Sequence, residues 1–486
     1  MDWVESLSEG RRCSNGEKDR SLAEFRLVLA HENSLRWHRA VIVTGRDISD
    51  GYMLPANKQG IQDQRYYNTF LNRPGSPERP GRYAQLHADI APGVHQYNAY
   101  WSSFEKAHIA PSDVSNLTCP KGSFKVPASW DQKAALGYTR YHCYDVRATA
   151  DFADMLALDA AHGWESAAVI WSAADGFRHP NCSGATFHNK LNFGGCPPRA
   201  DAMADFADFV IFLSAHFNGT AASPGHFTHF ILWNENANGD WFDFSPFVSV
   251  TQAPDAAHKV LWINKYVDML RTTHQALARN HEAGKPQMLY VSVDRIWKQL
   301  QTCPPTGFQH CHMGTQNFLD GIWERVGTSF DWSVAVHAYG DATKKQWPNM
   351  YTFADLPQVV AYQKAHLRQL NSSHVDTAPQ SMLAATEQGW DGFGPQEPVA
   401  AHYICLAHDV VTSSDNFVYT AHYDFQGVLT GDTRGLVQRD LGYNLANASA
   451  VASLTYAAYQ ASHPDFWNSN PQHFCCAQHQ LGCPSS

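Results

Sequence analysis

Short apolar runs and longer segments of helical periodicity alternate along most of this sequence, from about residue 94 to residue 423. Parallel strands need long crossover connections, which are usually helices, so this alternation predicts a parallel α/β domain. Eight runs rich in β-branched and aromatic residues are the predicted strands: Val94 to Trp101, Tyr138 to Tyr144, Ser166 to Ala173, Thr228 to Asn234, Gln287 to Val293, Trp332 to Tyr339, Met382 to Glu387 and Asn416 to Tyr423.

The segments between these runs have the period of amphipathic helices. In the clearest one, from Ala256 to His281, five apolar residues recur at spacings that predict one buried face. They are Val260, Ile263, Val267, Leu270 and Leu277. Further helices are predicted at Ala202 to Phe217, Thr315 to Arg325, Leu356 to Leu370, Pro398 to Thr412 and Tyr443 to Gln460.

Eight strand and helix units are compatible with a closed (β/α)8 TIM barrel or with an open doubly wound sheet. The sequence has no Gly-x-Gly-x-x-Gly after the first run and no Gly-x-x-x-x-Gly-Lys-Ser/Thr, so nucleotide-binding open sheets lose their main support. The closed barrel is therefore favoured. In such a barrel the functional side chains are expected where the strands end at the C-terminal mouth.

Both ends of the chain differ from this pattern. Residues 1–90 contain strand-like runs at Phe25 to Ala30 and Ala40 to Thr44, then a Pro, Arg and Gly-rich link, and predict a small N-terminal β appendage. The catalytic barrel is assigned to residues 91–465. Residues 466–486 form a Cys-rich C-terminal tail, whose thiols and imidazoles could bind zinc or form disulfides; disulfides are favoured because the spacing fits no standard zinc knuckle.

The net charge of −10 disfavours nucleic acid or an anionic membrane as a partner. There is no uninterrupted apolar stretch of the length that a membrane span needs. A neutral carbohydrate remains compatible, and 15 Trp and 20 Tyr supply rings that can stack on sugars. The oligomeric state cannot be read from these features.

Cysteines and glycosylation motifs favour the secretory route, although the start MDWVESLSEGRRC lacks the apolar segment of a signal peptide. Closely spaced cysteines, such as Cys182 with Cys196 and Cys303 with Cys311, can close loops as disulfides under oxidising conditions. Five Asn-x-Ser/Thr motifs occur, at Asn116, Asn181, Asn218, Asn371 and Asn447. We therefore expect a secreted glycoprotein.

Two glutamates stand where apolar strands end abruptly in polar residues. The fourth run ends in Trp-Asn234-Glu235-Asn236, and the seventh ends in Ala-Thr-Glu387-Gln-Gly. If these strands lie across the barrel from each other, the two carboxylates converge at its mouth. Hydrolysis of a glycosidic bond by the retaining route needs such a pair, one as acid/base and one as nucleophile.

These residues resemble the large clan of retaining glycoside hydrolases in which an Asn-Glu pair ends strand four and the nucleophile ends strand seven. The resemblance spans roughly residues 94 to 440 and implies Glu235 as acid/base, Glu387 as nucleophile and Asn234 as a ligand of the sugar 2-hydroxyl. The clan usually has Pro after the acid/base, where this chain has Asn236. A poorly characterised glycosidase-like family within the clan shares the same Asn-Glu-Asn and Glu-Gln-Gly arrangement.

The sixth run ends in His337-Ala-Tyr339, which puts both side chains on one face of a strand. The resemblance implies that Tyr339 hydrogen-bonds the nucleophile. The predicted substrate-binding residues are Asn234, His337, Tyr339, Trp390, Arg140, Trp171, Trp297 and His422, with Asp294, Trp241 and Asp243 as further candidates for the cleft walls.

No cofactor and no metal are expected, because no His-Glu-x-x-His occurs and the other histidines fit no ligand spacing. Two alternatives stay open. A non-catalytic carbohydrate-binding protein could use the same barrel without needing either glutamate. A metal-dependent esterase or deacetylase would need clustered His and Asp at the strand ends.

Overall fold

Eight parallel strands close into a barrel in this chain. The structure, a computed structural model, describes residues 54–55, 57–62, 92–108, 118–179, 182, 195–220, 223–243, 256–280, 287–298, 312–390, 397–423, 458 and 475. The strands in these residues are β1 (Gln59–Gln62), β2 (Val94–Tyr100), β3 (Glu105–His108), β4 (Ser123–Val126), β5 (His142–Asp145), β6 (Glu165–Trp171), β7 (Asn218–Thr220), β8 (Ser223–His226), β9 (His229–Leu232), β10 (Met288–Val293), β11 (Ser333–His337), β12 (Leu383–Gln388) and β13 (Phe417–Tyr423).

Helices connect most of the barrel strands. They are α1 (Trp101–Phe104), α2 (Trp130–Leu136), α3 (Val146–His162), α4 (Met203–His216), α5 (Ala256–Asn280), α6 (Thr315–Arg325), α7 (Leu356–Gln369) and α8 (Glu397–Thr412). The bounds of α4 to α8 agree with the predicted segments to within one residue. One detail of the prediction is wrong: Val260 of α5 is 43% exposed, whereas the other four apolar residues of its predicted face are buried.

The strand order around the barrel is β1-β13-β12-β11-β10-β9-β6-β2, and every neighbouring pair is parallel. The predicted (β/α)8 TIM barrel is therefore confirmed. All parallel strands point the same way, so β9, β11 and β12 deliver the ends of the fourth, sixth and seventh barrel strands to one mouth.

The predicted set of strands needs one correction. The first barrel strand is Gln59–Gln62, which pairs with β13 and β2 and lies before the predicted start of the barrel at residue 91. The run from Tyr138 to Tyr144 contributes β5, which lies outside the barrel. The strand QGIQ has one strongly apolar residue, so its sequence has no hydrophobic pattern, and only its pairing with two neighbours makes it a strand.

Strand β5 belongs to a small antiparallel sheet, ordered β3-β5-β4, in the connection between β2 and β6. A buried ionic cluster joins this sheet to α4. His142 contacts the Glu105 carboxylate at 3.1 Å through Nδ1 and the Asp208 carboxylate at 3.1 Å through Nε2. The Arg140 guanidinium lies 3.0 Å from Asp205 of the same helix. The disulfide Cys119–Cys143 further constrains the sheet.

The described residues contain two more disulfides, Cys182–Cys196 and Cys405–Cys475. The first was predicted, and the second shows that a tail cysteine pairs with α8. Three disulfides are compatible with an extracellular protein. The helices that the structure describes are too short or too polar to cross a bilayer. The predicted strands Phe25 to Ala30 and Ala40 to Thr44, the pair Cys303 with Cys311, and almost all of the helix from Tyr443 to Gln460 lie outside the described residues.

Candidate active site

Glu235 and Glu387 meet over one histidine at the mouth of the barrel. His337, at the end of β11, has its Nδ1 2.8 Å from Oε1 of Glu235 and 3.7 Å from Oε2 of Glu387. Those two carboxylate oxygens are therefore at most about 6.5 Å apart. The two carboxyl groups are about 5 to 5.5 Å apart in retaining glycosidases and about 6.5 to 9.5 Å apart in inverting ones. Each glutamate side chain keeps 14% of its surface exposed, so both are accessible from the mouth.

The backbone that carries Glu235 is strained. Trp233 and Glu235 have φ values of +63° and +42°, in the left-handed region that residues other than glycine seldom adopt. Asn236 stabilises this turn: its side-chain amide donates to the carbonyls of Leu232 at 3.1 Å and Ser292 at 2.8 Å. Its backbone N–H donates to Ser292 O as well, at 3.1 Å. A proline here could make none of these bonds, so the Asn that departs from the clan pattern has a structural role in this chain.

Neighbouring groups orient both carboxylates. Asn238 donates from its side-chain amide to Oε2 of Glu235 at 3.3 Å. Tyr339 donates from its phenol to Oε1 of Glu387, the contact that sequence analysis predicted. Below Glu387, the Gln96 amide donates to the Thr386 carbonyl at 2.9 Å and thereby ties β2 to the end of β12 across the barrel interior.

The electrostatics of the site favour the protonated form of Glu235. Burial raises the pKa of Glu235; the hydrogen bond from His337 opposes this, and the charges of Asp294 and Glu387 add to the rise. Burial would lower the pKa of His337, but the carboxylates of Glu387 and Glu235 outweigh it and raise that pKa. The site can therefore hold a protonated Glu235 at a pH where an ordinary glutamate is ionised.

Three aromatic rings pack together beside the loop that follows Glu235. The Trp171 ring at the end of β6 lies 4.9 Å from Tyr100 and 5.2 Å from Trp241, between ring centroids. Its indole N–H donates to Asn98 at 3.1 Å. Trp241 belongs to the loop that follows Glu235 and is partly exposed, whereas Trp171 is buried. Asn234 is buried between the two left-handed residues of the turn.

Four of the predicted substrate-binding residues are mostly buried in other contacts, and one of them, Trp390, also touches the turn beside Tyr339. Trp297 is 1% exposed and packs against Trp347, Tyr351 and Tyr362, so it is a core residue. Arg140 pairs with Asp205 in the ionic cluster of the small sheet. His422 and Trp390 are buried and line a cavity against α8, together with Ile404, Ala407 and His408. The indole N–H of Trp390 also donates to Gly340 O at 2.6 Å, in the turn that follows Tyr339.

Sequence analysis missed Asn238 and Ser292, which hydrogen-bond Glu235, and His312, which forms a backbone bridge with Asn238. Ser292 is the last inward position of β10, and its hydroxyl accepts a hydrogen bond from the Glu235 N–H at 3.1 Å. His312 contacts Asp294, a residue that was predicted to lie in the cleft wall. The signal that could have found Asn238 is its position three residues after Glu235, within reach of the carboxylate in a tight turn.

One group among the described residues has the spacing of a metal site, namely Cys182, Cys196 and Asp243. The two cysteines form a disulfide, and a disulfide sulfur is not the thiolate that binds metals. We therefore assign no metal to this group.

Comparison with known proteins gives fold-level similarity to glycosidases. No protein-family model and no curated protein matches the sequence. Among solved structures, the chain is similar to a family 39 glycoside hydrolase from Bacteroides cellulosilyticus WH2, at 11% identity and a TM-score of 0.44, over 84% of this chain and 63% of that one. It is also similar to a family 1 β-glucosidase from Thermotoga maritima, at 9% identity and a TM-score of 0.44, over 84% of this chain and 97% of that one. A β-glucosidase mutant derived from a hyperthermophilic tetrameric structure has 10% identity and a TM-score of 0.48, over 85% of this chain and 96% of that one.

Proposed function

We propose that this protein is a retaining glycoside hydrolase, with Glu235 as acid/base and Glu387 as nucleophile. The observation that carries the proposal is the pair of carboxylates that share His337 at the mouth of a (β/α)8 barrel. The bound of about 6.5 Å on the distance between one oxygen of each carboxylate supports the retaining route, because inverting enzymes hold their carboxyl groups about 6.5 to 9.5 Å apart to leave room for a water molecule.

In the first step, the Glu387 carboxylate attacks the anomeric carbon while Glu235 gives its proton to the leaving oxygen. The glycosidic bond breaks and a glycosyl ester on Glu387 forms. In the second step, Glu235 takes a proton from water, the water oxygen attacks the same carbon, and Glu387 leaves as a carboxylate. Two inversions give net retention of configuration.

The neighbouring residues have distinct roles in this proposal. Tyr339 stabilises the ionised form of Glu387 and holds its orientation, and His337 keeps the Glu235 carboxyl facing the cleft. Asn234 binds the sugar 2-hydroxyl, while Trp241, which is partly exposed and packs on the buried Trp171, offers a stacking surface to a bound glycan. We also propose that the protein is secreted and glycosylated, with Asn371 as the clearest acceptor because it is exposed at a turn after α7.

The test is hydrolysis of a panel of 4-nitrophenyl glycosides by the purified protein, followed by NMR of the first product formed. We expect release of nitrophenol from at least one sugar, with the anomeric configuration of the substrate kept in the product. A product of inverted configuration would exclude the double displacement. Glycan binding without turnover would instead support the alternative of a carbohydrate-binding protein on this barrel.

A further inference from the structure

His312 lies directly beside the loop that carries Glu235. Its backbone forms an antiparallel bridge with Asn238, and the next residue, Met313, donates from its N–H to Ala237 O at 2.9 Å. Asn238 in turn donates to the Glu235 carboxylate. The segment before α6 therefore runs along the acid/base loop and holds His312 at its edge.

The imidazole of His312 is fixed in orientation. Its Nδ1 lies 2.8 Å from Oδ2 of Asp294, a carboxylate whose other oxygen accepts from the Ile296 N–H at 2.9 Å. Tyr351 donates its phenol to the Asp294 carbonyl, which anchors the residue further. Among the described residues no group hydrogen-bonds Nε2, and 14% of the His312 side chain is exposed, the same fraction as for each glutamate. The imidazole is therefore partly open to solvent.

The charged neighbours of His312 put it on the acid/base side of the cleft. Burial lowers its pKa, but the hydrogen bond and charge of Asp294, with the charges of Glu235 and Asp240, raise it overall. The proposed acid protonates the leaving oxygen, so groups close to Glu235 belong to the side of the cleft where the leaving sugar binds.

We propose that His312, oriented by Asp294, binds a hydroxyl of a neutral sugar on the leaving-group side of the scissile bond. This inference rests on the proposed function. With the Nδ1 proton directed at Asp294, Nε2 of the neutral imidazole accepts a hydrogen bond from a sugar hydroxyl, and Nε2 of the imidazolium donates one to it. Asp294, Asp240 and Glu235 lie close to His312, so a uronic acid carboxylate in this position would be repelled.

The experiment compares two substrates with the same transferred sugar, chosen from the hit in the nitrophenyl panel. One is the glycosyl fluoride, which has no leaving sugar, and the other is a disaccharide with a neutral leaving sugar. For His312→Ala we expect kcat/KM on the disaccharide to fall about tenfold, because the hydrogen bond between Nε2 and the sugar hydroxyl is lost. On the fluoride we expect it to stay within about twofold, and His312→Gln should recover part of the loss because its amide can donate or accept.

The matched control is His374→Ala, in the exposed turn between α7 and β12, at the opposite end of the barrel strands. Equal losses on both substrates in both His312 variants would overturn the proposal, as would unchanged rates on both. Wild type should cleave a disaccharide with a uronic acid leaving sugar more slowly than the one with a neutral leaving sugar. If wild type prefers the uronic acid substrate and the His312 variants lose that preference, the assignment to neutral sugars is wrong. Absence of turnover by wild type on every sugar of the nitrophenyl panel would instead refute the proposed function itself.

Discussion

At the scale of single residues, the site depends on two identical side chains in different surroundings. Glu387 accepts a hydrogen bond from a phenol, whereas Glu235 is partly buried near Asp294 and Glu387, and these surroundings raise its pKa. A raised pKa favours the protonated form of Glu235, which is the form that a general acid needs. The two glutamates should therefore respond differently to substitution.

Glu387→Gln removes the attacking carboxylate and leaves a side chain of almost the same shape. We expect kcat on the best nitrophenyl glycoside to fall by roughly 10⁴-fold or more, because no covalent intermediate can form. Stopped assays over several hours measure the residual kcat, and thermal unfolding checks that the variant is folded. Glu324→Gln on the exposed face of α6 is the control, and nearly full activity in the Glu387 variant would refute the assignment.

Glu235→Ala should slow the step that needs a proton on the leaving group. We expect kcat/KM to fall about 10² to 10⁴-fold for a leaving group of high pKa and much less for 2,4-dinitrophenolate, which departs without a proton. Azide should restore turnover as a glycosyl azide product. Wild type needs a protonated Glu235, so its kcat/KM should fall as the pH rises. This fall at alkaline pH should be absent in the Glu235→Ala variant. A uniform loss over all leaving groups would argue against the acid role.

At the scale of elements, the turn after β9 decides where Glu235 points. Two left-handed residues make this turn costly, and three hydrogen bonds from Asn236 compensate for the strain. The turn is therefore rigid although it belongs to no helix or strand. Strain of this kind concentrates where a side chain must be aimed.

Asn236→Pro tests the turn. Proline cannot donate any of the three bonds, and the residue before proline avoids the conformation that Glu235 adopts. We expect about 2 to 4 kcal/mol loss in the free energy of unfolding by urea and at least a tenfold lower kcat/KM. Asn280→Ala, which removes one bond to Ala276 O at the end of α5, is the control and should leave activity intact. Wild-type stability in the proline variant would show that these bonds contribute little.

At the scale of the whole molecule, a buried ionic cluster joins the small sheet to the barrel. Burial lowers the pKa of His142, but Glu105 and Asp208 raise it to about 10, so the imidazolium is charged in the folded protein at neutral pH. A folded pKa above the unfolded value of 6.5 contributes stability that is complete below pH 6.5 and is lost as the pH rises through about 10.

The free energy of unfolding should therefore fall between pH 7 and pH 10 in wild type. His142→Gln should be less stable at pH 7, since it leaves two buried carboxylates without their cation, and its stability should depend less steeply on pH over this range. Urea unfolding at several pH values measures both slopes. Equal slopes in the two proteins would show that His142 does not carry this pH dependence.

The sequence by itself determined the class of fold, seven of the eight barrel strands and the two glutamates, because these follow from local periodicity and from polar residues at strand ends. Only the tertiary structure decided that Gln59–Gln62 completes the barrel, since that strand exists through pairing with residues more than 350 positions away. It also decided that Trp297 is a core residue and that His312 lies beside Glu235. Residues that are distant in the sequence become neighbours because closure of the barrel brings the ends of different strands together. A local sequence pattern contains no information about that closure.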